Sequence, residues 1–217
     1  MSSTASSWRR ITSTTAASTT PAPAERRFQG PASLNDKLSP DGRTLTTGNA
    51  NGSVKLLDVA SRRLVATLAG QAATTWAVAF SPDGRTLATA GSNGDIRLWD
   101  TATHRGMRTL AGHTGVIKAL AYSPDGRTLA SGSADRTVGL WDTGSHRTTA
   151  VLAGHDDTVV SLAYAPDGRA LATVGLDRSS RLWALDAEGI AGHVCTLSTT
   201  QEWHALVTGL PRGAPCP

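Results

Sequence analysis

The stretch that decides the fold is Ser123–Asp142, which reads SPDGRTLASGSADRTVGLWD. Three similar stretches begin at Ser39, Ser81 and Ala165, so that successive copies start 42 residues apart. A fixed period without insertions indicates one supersecondary unit repeated along the chain. We therefore interpret the other features of the sequence against four copies of this unit.

The repeating unit reads as four short β-strands. In the third copy an apolar run, Val116–Tyr122, precedes a Pro-Asp-Gly turn, and the next two strands are Thr128–Ser133 and Thr137–Asp142. After a polar corner, Arg147–Leu152 supplies a fourth strand. Short β-rich runs between turn signals predict an all-β protein. A period of about 40 to 45 residues with Gly-His near the start and Trp-Asp near the end is typical of one propeller blade.

Two dipeptides carry a family resemblance. Gly-His occurs at Gly112–His113 and Gly154–His155, and Trp-Asp occurs at Trp99–Asp100 and Trp141–Asp142. With these elements the chain resembles the WD-repeat family from about residue 32 to residue 186, which is most of its length. The resemblance implies an all-β fold, a partial β-propeller of about four four-stranded blades.

The same resemblance implies a buried network in each blade, formed by a His, a Ser or Thr, an Asp and a Trp. A buried Asp needs hydrogen-bond donors, and an indole N–H can join such a network while its ring fills core volume. The third and fourth repeats carry all four residue types, at His113, Ser131, Asp135 and Trp141, and at His155, Thr173, Asp177 and Trp183. The second repeat carries a weakened set, namely Gln71, Thr89, Asn93 and Trp99. The first repeat keeps only Thr47, with Asn51 in the Asp place and Leu57 in the Trp place.

A His, an Asp and a Ser are also the components of a catalytic triad. Because the same constellation recurs with the repeat, we favour the structural interpretation and predict that the chain is not an enzyme. A zinc-binding site is not supported either, because His113 and His155 belong to different blades and no Cys lies near either at ligand spacing. We expect no catalytic residue, no metal and no cofactor.

Charge and hydropathy bear on two kinds of interaction, nucleic-acid binding and membrane insertion. The formal net charge is +4, but the Arg residues recur singly, at Arg43, Arg85, Arg127 and Arg169 after each Asp-Gly pair. A nucleic-acid groove requires clustered Lys and Arg with interleaved aromatic residues, and only 5% of this chain is aromatic. We therefore do not expect nucleic-acid binding. No stretch is long and apolar enough to predict a membrane span.

The four repeats are flanked by two dissimilar ends. Residues 1–31 are rich in Ser and Thr, and we predict a disordered tail; a transit peptide and a former linker are the alternatives. The repeats are expected at about 32–69, 70–111, 112–153 and 154–186. The first is the weakest, because Asn35, Asp36 and Lys37 are poor strand residues.

The period breaks after Trp183, and residues 187–217 are predicted to form a C-terminal cap. Thr199 and Glu202 have the spacing of a capping box, which predicts a short helix that ends near Gly209. The cap resembles the C-terminal region of large bacterial WD-repeat signalling proteins. That resemblance raises a disulfide between Cys195 and Cys216 as one possibility; two free thiols in a reducing cytoplasm are the alternative.

The family resemblance implies a non-catalytic platform for protein–protein interaction, and the sensor part of a signalling system is a more specific hypothesis. One alternative is a propeller-type hydrolase, which would need acidic or His ligands at the central channel. The channel strands carry Thr75, Val116, Lys118 and Val159 instead. Another alternative is an incomplete gene fragment without independent function.

Four blades are expected to leave an open arc whose end faces favour self-association. The Arg-rich composition favours a bacterial protein, and we expect a cytoplasmic location.

Overall fold

A computed structural model describes residues 33–69, 74–185 and 191–197, with side chains for 35–69 and 74–185. Several predictions therefore lie outside the described residues: the tail 1–31, Gln71, the short C-terminal helix, and the pairing of Cys195 with Cys216. No helix among the described residues has the length and apolarity needed to cross a membrane.

Sixteen strands form four antiparallel sheets of four strands each. The first sheet contains β1 (Ser33–Leu38), β2 (Thr44–Asn49), β3 (Val54–Asp58) and β4 (Leu64–Leu68). The second contains β5 (Thr75–Phe80), β6 (Thr86–Gly91), β7 (Asp95–Asp100) and β8 (Gly106–Ala111). The third contains β9 (Ile117–Tyr122), β10 (Thr128–Ser133), β11 (Thr137–Asp142) and β12 (Thr148–Ala153). The fourth contains β13 (Val159–Tyr164), β14 (Ala170–Gly175), β15 (Ser180–Leu185) and β16 (Ala191–Leu197).

Each sheet is a meander in which consecutive strands pair. The first strands of successive sheets, β1, β5, β9 and β13, contact one another in chain order, so they form the inner edge of the stack. The prediction of an all-β chain built from four-stranded units is confirmed. In the third sheet, β10 and β11 have the predicted bounds, and the predicted first and fourth strands differ by one residue at their ends.

The Ser-Pro-Asp-Gly turn holds the first two strands of a sheet together. In the third sheet the Ser123 hydroxyl donates to Asp125 Oδ1 at 2.6 Å and accepts from the Thr128 backbone N–H at 2.9 Å. Gly126 has a φ of 73°, a backbone conformation that costs glycine little. The hydrogen bond from Ser123 keeps the pKa of Asp125 below its usual value. The same turn occurs after β1 and β5.

The core lies between sheets, in three clusters that repeat with the sequence. In the cluster between the second and third sheets, Ile96 and Leu98 pack with Leu129 and Trp141. A face of one sheet therefore packs against the Trp-bearing face of the next. Because apolar burial contributes roughly 25 cal/mol per Å², these interfaces are the main source of cohesion between blades.

Two strands differ from the sequence-based expectation. β1 forms although Asn35, Asp36 and Lys37 are poor strand residues, because each pairs with β2 in an antiparallel register. β16 is the fourth strand of the last sheet and lies beyond the boundary drawn at residue 186. The last sheet therefore includes part of the region that the sequence analysis assigned to a cap.

Candidate functional site

The polar network of the third sheet is formed by four side chains from three places in the chain. His113 precedes β9, Ser131 lies on β10, Asp135 is in the following turn, and Trp141 lies on β11. His113 Nδ1 lies 2.8 Å from an oxygen of Asp135, and His113 Nε2 lies 2.7 Å from Ser131 Oγ. The Trp141 indole N–H donates to the same hydroxyl oxygen at 2.8 Å.

These contacts give every buried polar atom of the four side chains a hydrogen-bond partner. Because the indole N–H is only a donor, Ser131 Oγ accepts from Trp141. Because an unpaired buried polar group costs about 1 to 3 kcal/mol, the network stabilises the sheet only while all its members are present.

Asp135 receives more hydrogen bonds than the one from His113. The backbone N–H groups of Thr114 and Thr137 donate to it at 3.0 Å each, and the Thr137 hydroxyl donates at 2.6 Å. Burial disfavours the ionised carboxylate, but the hydrogen bonds from Thr137 and His113 outweigh burial and lower the pKa of Asp135 to about 2. Asp135 thus ties the connection before β9 to the turn after β10.

The fourth sheet repeats this arrangement. His155 Nδ1 lies 2.9 Å from Asp177, and His155 Nε2 lies 2.8 Å from Thr173 Oγ1. The Trp183 indole donates to Thr173 Oγ1 at 2.9 Å. Burial opposes ionisation of Asp177, but backbone N–H groups, that of Ser179 first, lower the pKa of its carboxyl well below the ordinary value.

The second sheet retains part of the network. The Trp99 indole donates to Thr89 Oγ1 at 2.9 Å, as in the later sheets. Asn93, in the Asp place, donates instead to Asp95 at 2.9 Å. In the first sheet, Asn51 accepts from the Ser53 hydroxyl at 2.7 Å. Full networks therefore occur in the third and fourth sheets of the described chain.

The Asp of the Trp-Asp dipeptide has a role that the sequence analysis did not assign. Asp142 Oδ1 accepts from both the backbone N–H and the hydroxyl of Ser145, at 2.6 Å each. The equivalent pairs in the first and second sheets are Asp58 with Ser61 and Asp100 with Thr103. These bonds close the corner before each fourth strand, and the spacing Asp-x-x-Ser/Thr is the sequence signal that would have found them. The fourth repeat has Ala184 there.

The network does not have the access that a nucleophile needs. Ser131 is fully buried, and its hydroxyl is already bonded to His113 and Trp141. Among the described residues, no group of three or more His, Cys, Asp or Glu side chains is placed to hold a metal ion. The described networks therefore act as internal supports of their sheets.

Two grooves lie between successive Ser-Pro-Asp-Gly turns and are built from equivalent residues. The groove between the first and second sheets has a volume of about 540 Å³ and includes Val65, Phe80 and His104. The groove between the second and third sheets, at about 310 Å³, includes Met107 and Tyr122. Each has Asp carboxylates at its rim and exposed apolar groups on its wall. We call these the first and second grooves.

A cation and an aromatic ring meet on neighbouring inner strands. Lys118 Nζ on β9 lies 3.4 Å from the centre of the Trp76 ring on β5. The Trp76 indole donates to Ser92 Oγ at 3.1 Å, which fixes the ring. Partial burial lowers the pKa of Lys118, whereas the ring face favours its charged form. Two other residues on the strands expected to line the central channel, Thr75 and Val159, are buried.

Comparison with known proteins identifies the repeating unit. The family model described as "WD domain, G-beta repeat" matches residues 62–100, 105–142 and 146–184, together just over half of the chain. No curated protein matches the chain significantly. Each matched segment begins before the fourth strand of one sheet and ends with the third strand of the next, so the repeats interlock adjacent sheets. The chain therefore belongs to the WD-repeat family.

Proposed function

We propose that this chain is a non-catalytic platform that binds other proteins through the two grooves. Domains of the WD-repeat family generally mediate protein–protein interaction, and rigid sheets that present turns and rims to partners suit that role. The four-residue networks support the proposal because they occupy the His, Asp, Ser and Thr side chains in internal bonds. The sensor role in a signalling system, a cytoplasmic location and a bacterial origin are further parts of this proposal.

The observation that carries the proposal is the exposure of apolar side chains inside the grooves. Val65 and Met107 occupy equivalent positions on β4 and β8 and are 51% and 52% exposed. Both line a groove whose opposite wall is a Ser-Pro-Asp-Gly turn. Apolar side chains beside ordered polar groups form the kind of surface that supplies both affinity and register in a protein interface. An extended partner segment can place one apolar residue in each groove.

Binding of selected peptides tests the proposal. A displayed peptide library is selected on the full chain, and the affinity of the recovered peptides is measured for Val65→Asp and Met107→Asp. We expect each substitution to weaken binding by at least about tenfold. Val151→Asp is the matched control, because Val151 is exposed on β12 and lines neither groove.

Equal affinity of all three variants would contradict the placement of the site. Hydrolysis of nitrophenyl esters by the purified chain would instead support the hydrolase alternative. Failure to recover any peptide, with a chain that unfolds without cooperativity, would support the incomplete-fragment alternative. Self-association through the end faces remains a prediction, and light scattering of the purified chain measures it.

A further inference from the structure

The two grooves share one turn and combine apolar side chains with carboxylates. Asp83, from the turn after β5, lines both the first and the second groove. Asp41 completes the pair of carboxylates in the first groove, and Asp125 completes the pair in the second. Three successive turns therefore place three carboxylates along one surface, with the exposed Val65 in one groove and the exposed Met107 in the other.

Each of these carboxylates is held by one of its two oxygens. Asp83 Oδ1 accepts from the Ser81 hydroxyl at 2.6 Å and from the Arg85 backbone N–H at 3.0 Å. Asp41 and Asp125 make the same two bonds through Oδ1, with a Ser and an Arg at the same spacing. The three side chains are exposed, and within the described part of the chain Oδ2 of each has no hydrogen-bond partner. These Oδ2 atoms are therefore available to a donor from a partner.

The carboxylates are ionised and have no cationic partner among the described residues. The hydrogen bond from Ser81 lowers the pKa of Asp83, and the hydrogen bond from Ser39 lowers the pKa of Asp41. No described Lys, Arg or His forms an ion pair with either of them or with Asp125. The Arg that follows each turn lines neither groove. The negative charge at the grooves is therefore left for a partner to complement.

An aromatic residue lies in each groove together with the carboxylates. Phe80 lines the first groove, and Tyr122, at the equivalent position of the next repeat, lines the second. Burial raises the pKa of the Tyr122 hydroxyl, and the negative charge of Asp83 raises it further. The charge of Asp83 therefore acts inside the second groove as well as at its rim. Carboxylates and aromatic rings both attract cations, so the two features favour the same kind of partner group.

We propose that each groove takes a basic side chain, Arg or Lys, from an extended segment of a partner protein, beside the apolar residue that contacts the groove wall. This inference rests on the function proposed above and adds the charge of the partner to it. The cationic end of the side chain donates to the unused Oδ2 atoms, and the neighbouring apolar residue contacts Val65 or Met107. Because Asp83 belongs to both grooves, it contributes to binding in either of them.

The turn of the fourth sheet lacks the features that make the other turns suitable. Ala165 replaces the Ser that holds the carboxylate, and Asp167 Oδ1 accepts from the Arg169 backbone N–H at 3.0 Å. Thr149 has the position that Met107 has in the second groove. Asp167 is exposed and lines neither groove, so its substitution provides a matched control.

Peptides selected from a displayed library on the full chain test the proposal through their sequences and through charge variants. We expect the selected peptides to be enriched in Arg or Lys next to an apolar residue. Asp83→Asn keeps the oxygen that accepts from Ser81 and removes the charge, so it should weaken binding about fivefold. Asp167→Asn should leave the affinity unchanged. Raising NaCl from about 0.05 M to about 0.5 M should weaken binding to the native chain and reduce the effect of Asp83→Asn.

Two further variants separate charge from apolar contact. Replacing each basic residue of a selected peptide by Gln should weaken binding as Asp83→Asn does, and it serves as the second test if Asp83→Asn alters the turn. Val65→Ser and Met107→Ser remove apolar contact without adding charge. Because His104 and His146 also line the grooves, all affinities are measured at pH 8, above the range in which histidine titrates.

The outcomes distinguish this inference from the function on which it rests. Peptides that lose affinity in Val65→Ser and Met107→Ser, but that carry no basic residue or bind Asp83→Asn as tightly as the native chain, would overturn the inference alone. Peptides that neither apolar substitution affects, or a selection that recovers none, would contradict the proposed function and the inference together. Self-association that Asp83→Asn abolishes in light scattering would make a second copy the occupant and would also overturn the inference.

Discussion

Replacing Ser131 by Ala should destabilise the protein by about 3 kcal/mol. Ser131 Oγ lies 2.8 Å from the Trp141 indole nitrogen and 2.7 Å from His113 Nε2, and both of these rings are almost fully buried. The substitution therefore leaves two buried polar atoms unpaired, at about 1 to 3 kcal/mol each. For a chain of this size, about 3 kcal/mol lowers Tm by about 6 to 12 °C.

The matched control is Ser131→Thr, which keeps the hydroxyl. Thr173 occupies the equivalent place in the fourth sheet and makes the same two bonds at 2.8 and 2.9 Å. We expect Ser131→Thr to cost about 1 kcal/mol, the lower end of the cost of adding one methyl group to a packed core. Thermal and urea unfolding followed by circular dichroism measure both variants. If Ser131→Ala costs no more than Ser131→Thr, the hydroxyl does not hold the network together.

Three further predictions test other parts of the structure. Because the pKa of Asp135 is lowered from 3.8 to about 2, its ionised carboxylate stabilises the fold fully above about pH 5, and this stabilisation disappears as the pH falls toward 2. The protein should therefore lose about 1 kcal/mol of stability between pH 5 and pH 3 through Asp135, and Asp135→Asn should lack this loss. The Tm of both proteins at the two pH values measures the difference. Gly132→Val should cost about 2 kcal/mol in urea unfolding through a clash between sheets, whereas Gly144→Val should cost little, because a Cβ there would meet only Asp142 Oδ1, at an ordinary contact distance of 3.6 Å. In the fourth repeat Ala165 replaces the Ser whose hydroxyl donates to the turn Asp in the other repeats, so Asp167 has no such donor. Ala165→Ser should therefore raise the free energy of unfolding in urea by about 1 kcal/mol. No gain would contradict the role assigned to this turn.

The periodic part of the fold could be predicted from sequence because local and long-range preferences agree there. In the third sheet, turn residues bound each strand, and the apolar alternation has the period of a strand, so β10 and β11 were placed correctly. β1 shows where propensity fails: Asp36 and Lys37 disfavour a strand, but pairing with β2 satisfies their backbone groups and outweighs the side-chain preference.

The last strand was not predicted for a different reason. The sequence comparison assumed a constant period, and the three additional residues before β16 moved Cys195 and Leu197 out of phase with Ala150 and Leu152. Only strand pairing shows that these positions are equivalent. The candidate networks were easier to predict from sequence, because each residue type recurs at the same place in the repeat.

The position of each network explains why its chemistry is structural. His113 lies in the connection that arrives from the second sheet, whereas Ser131, Asp135 and Trp141 belong to the third sheet itself. The hydrogen bonds therefore join the third and fourth sheets to the connections from their predecessors, in addition to the apolar contacts between sheets. A reactive Ser in this place would need access to solvent, and that access would break the bonds that hold the connection. Since the polar groups of these two networks are used for cohesion, we propose that recognition uses the surfaces between the turns, where Val65 and Met107 are exposed.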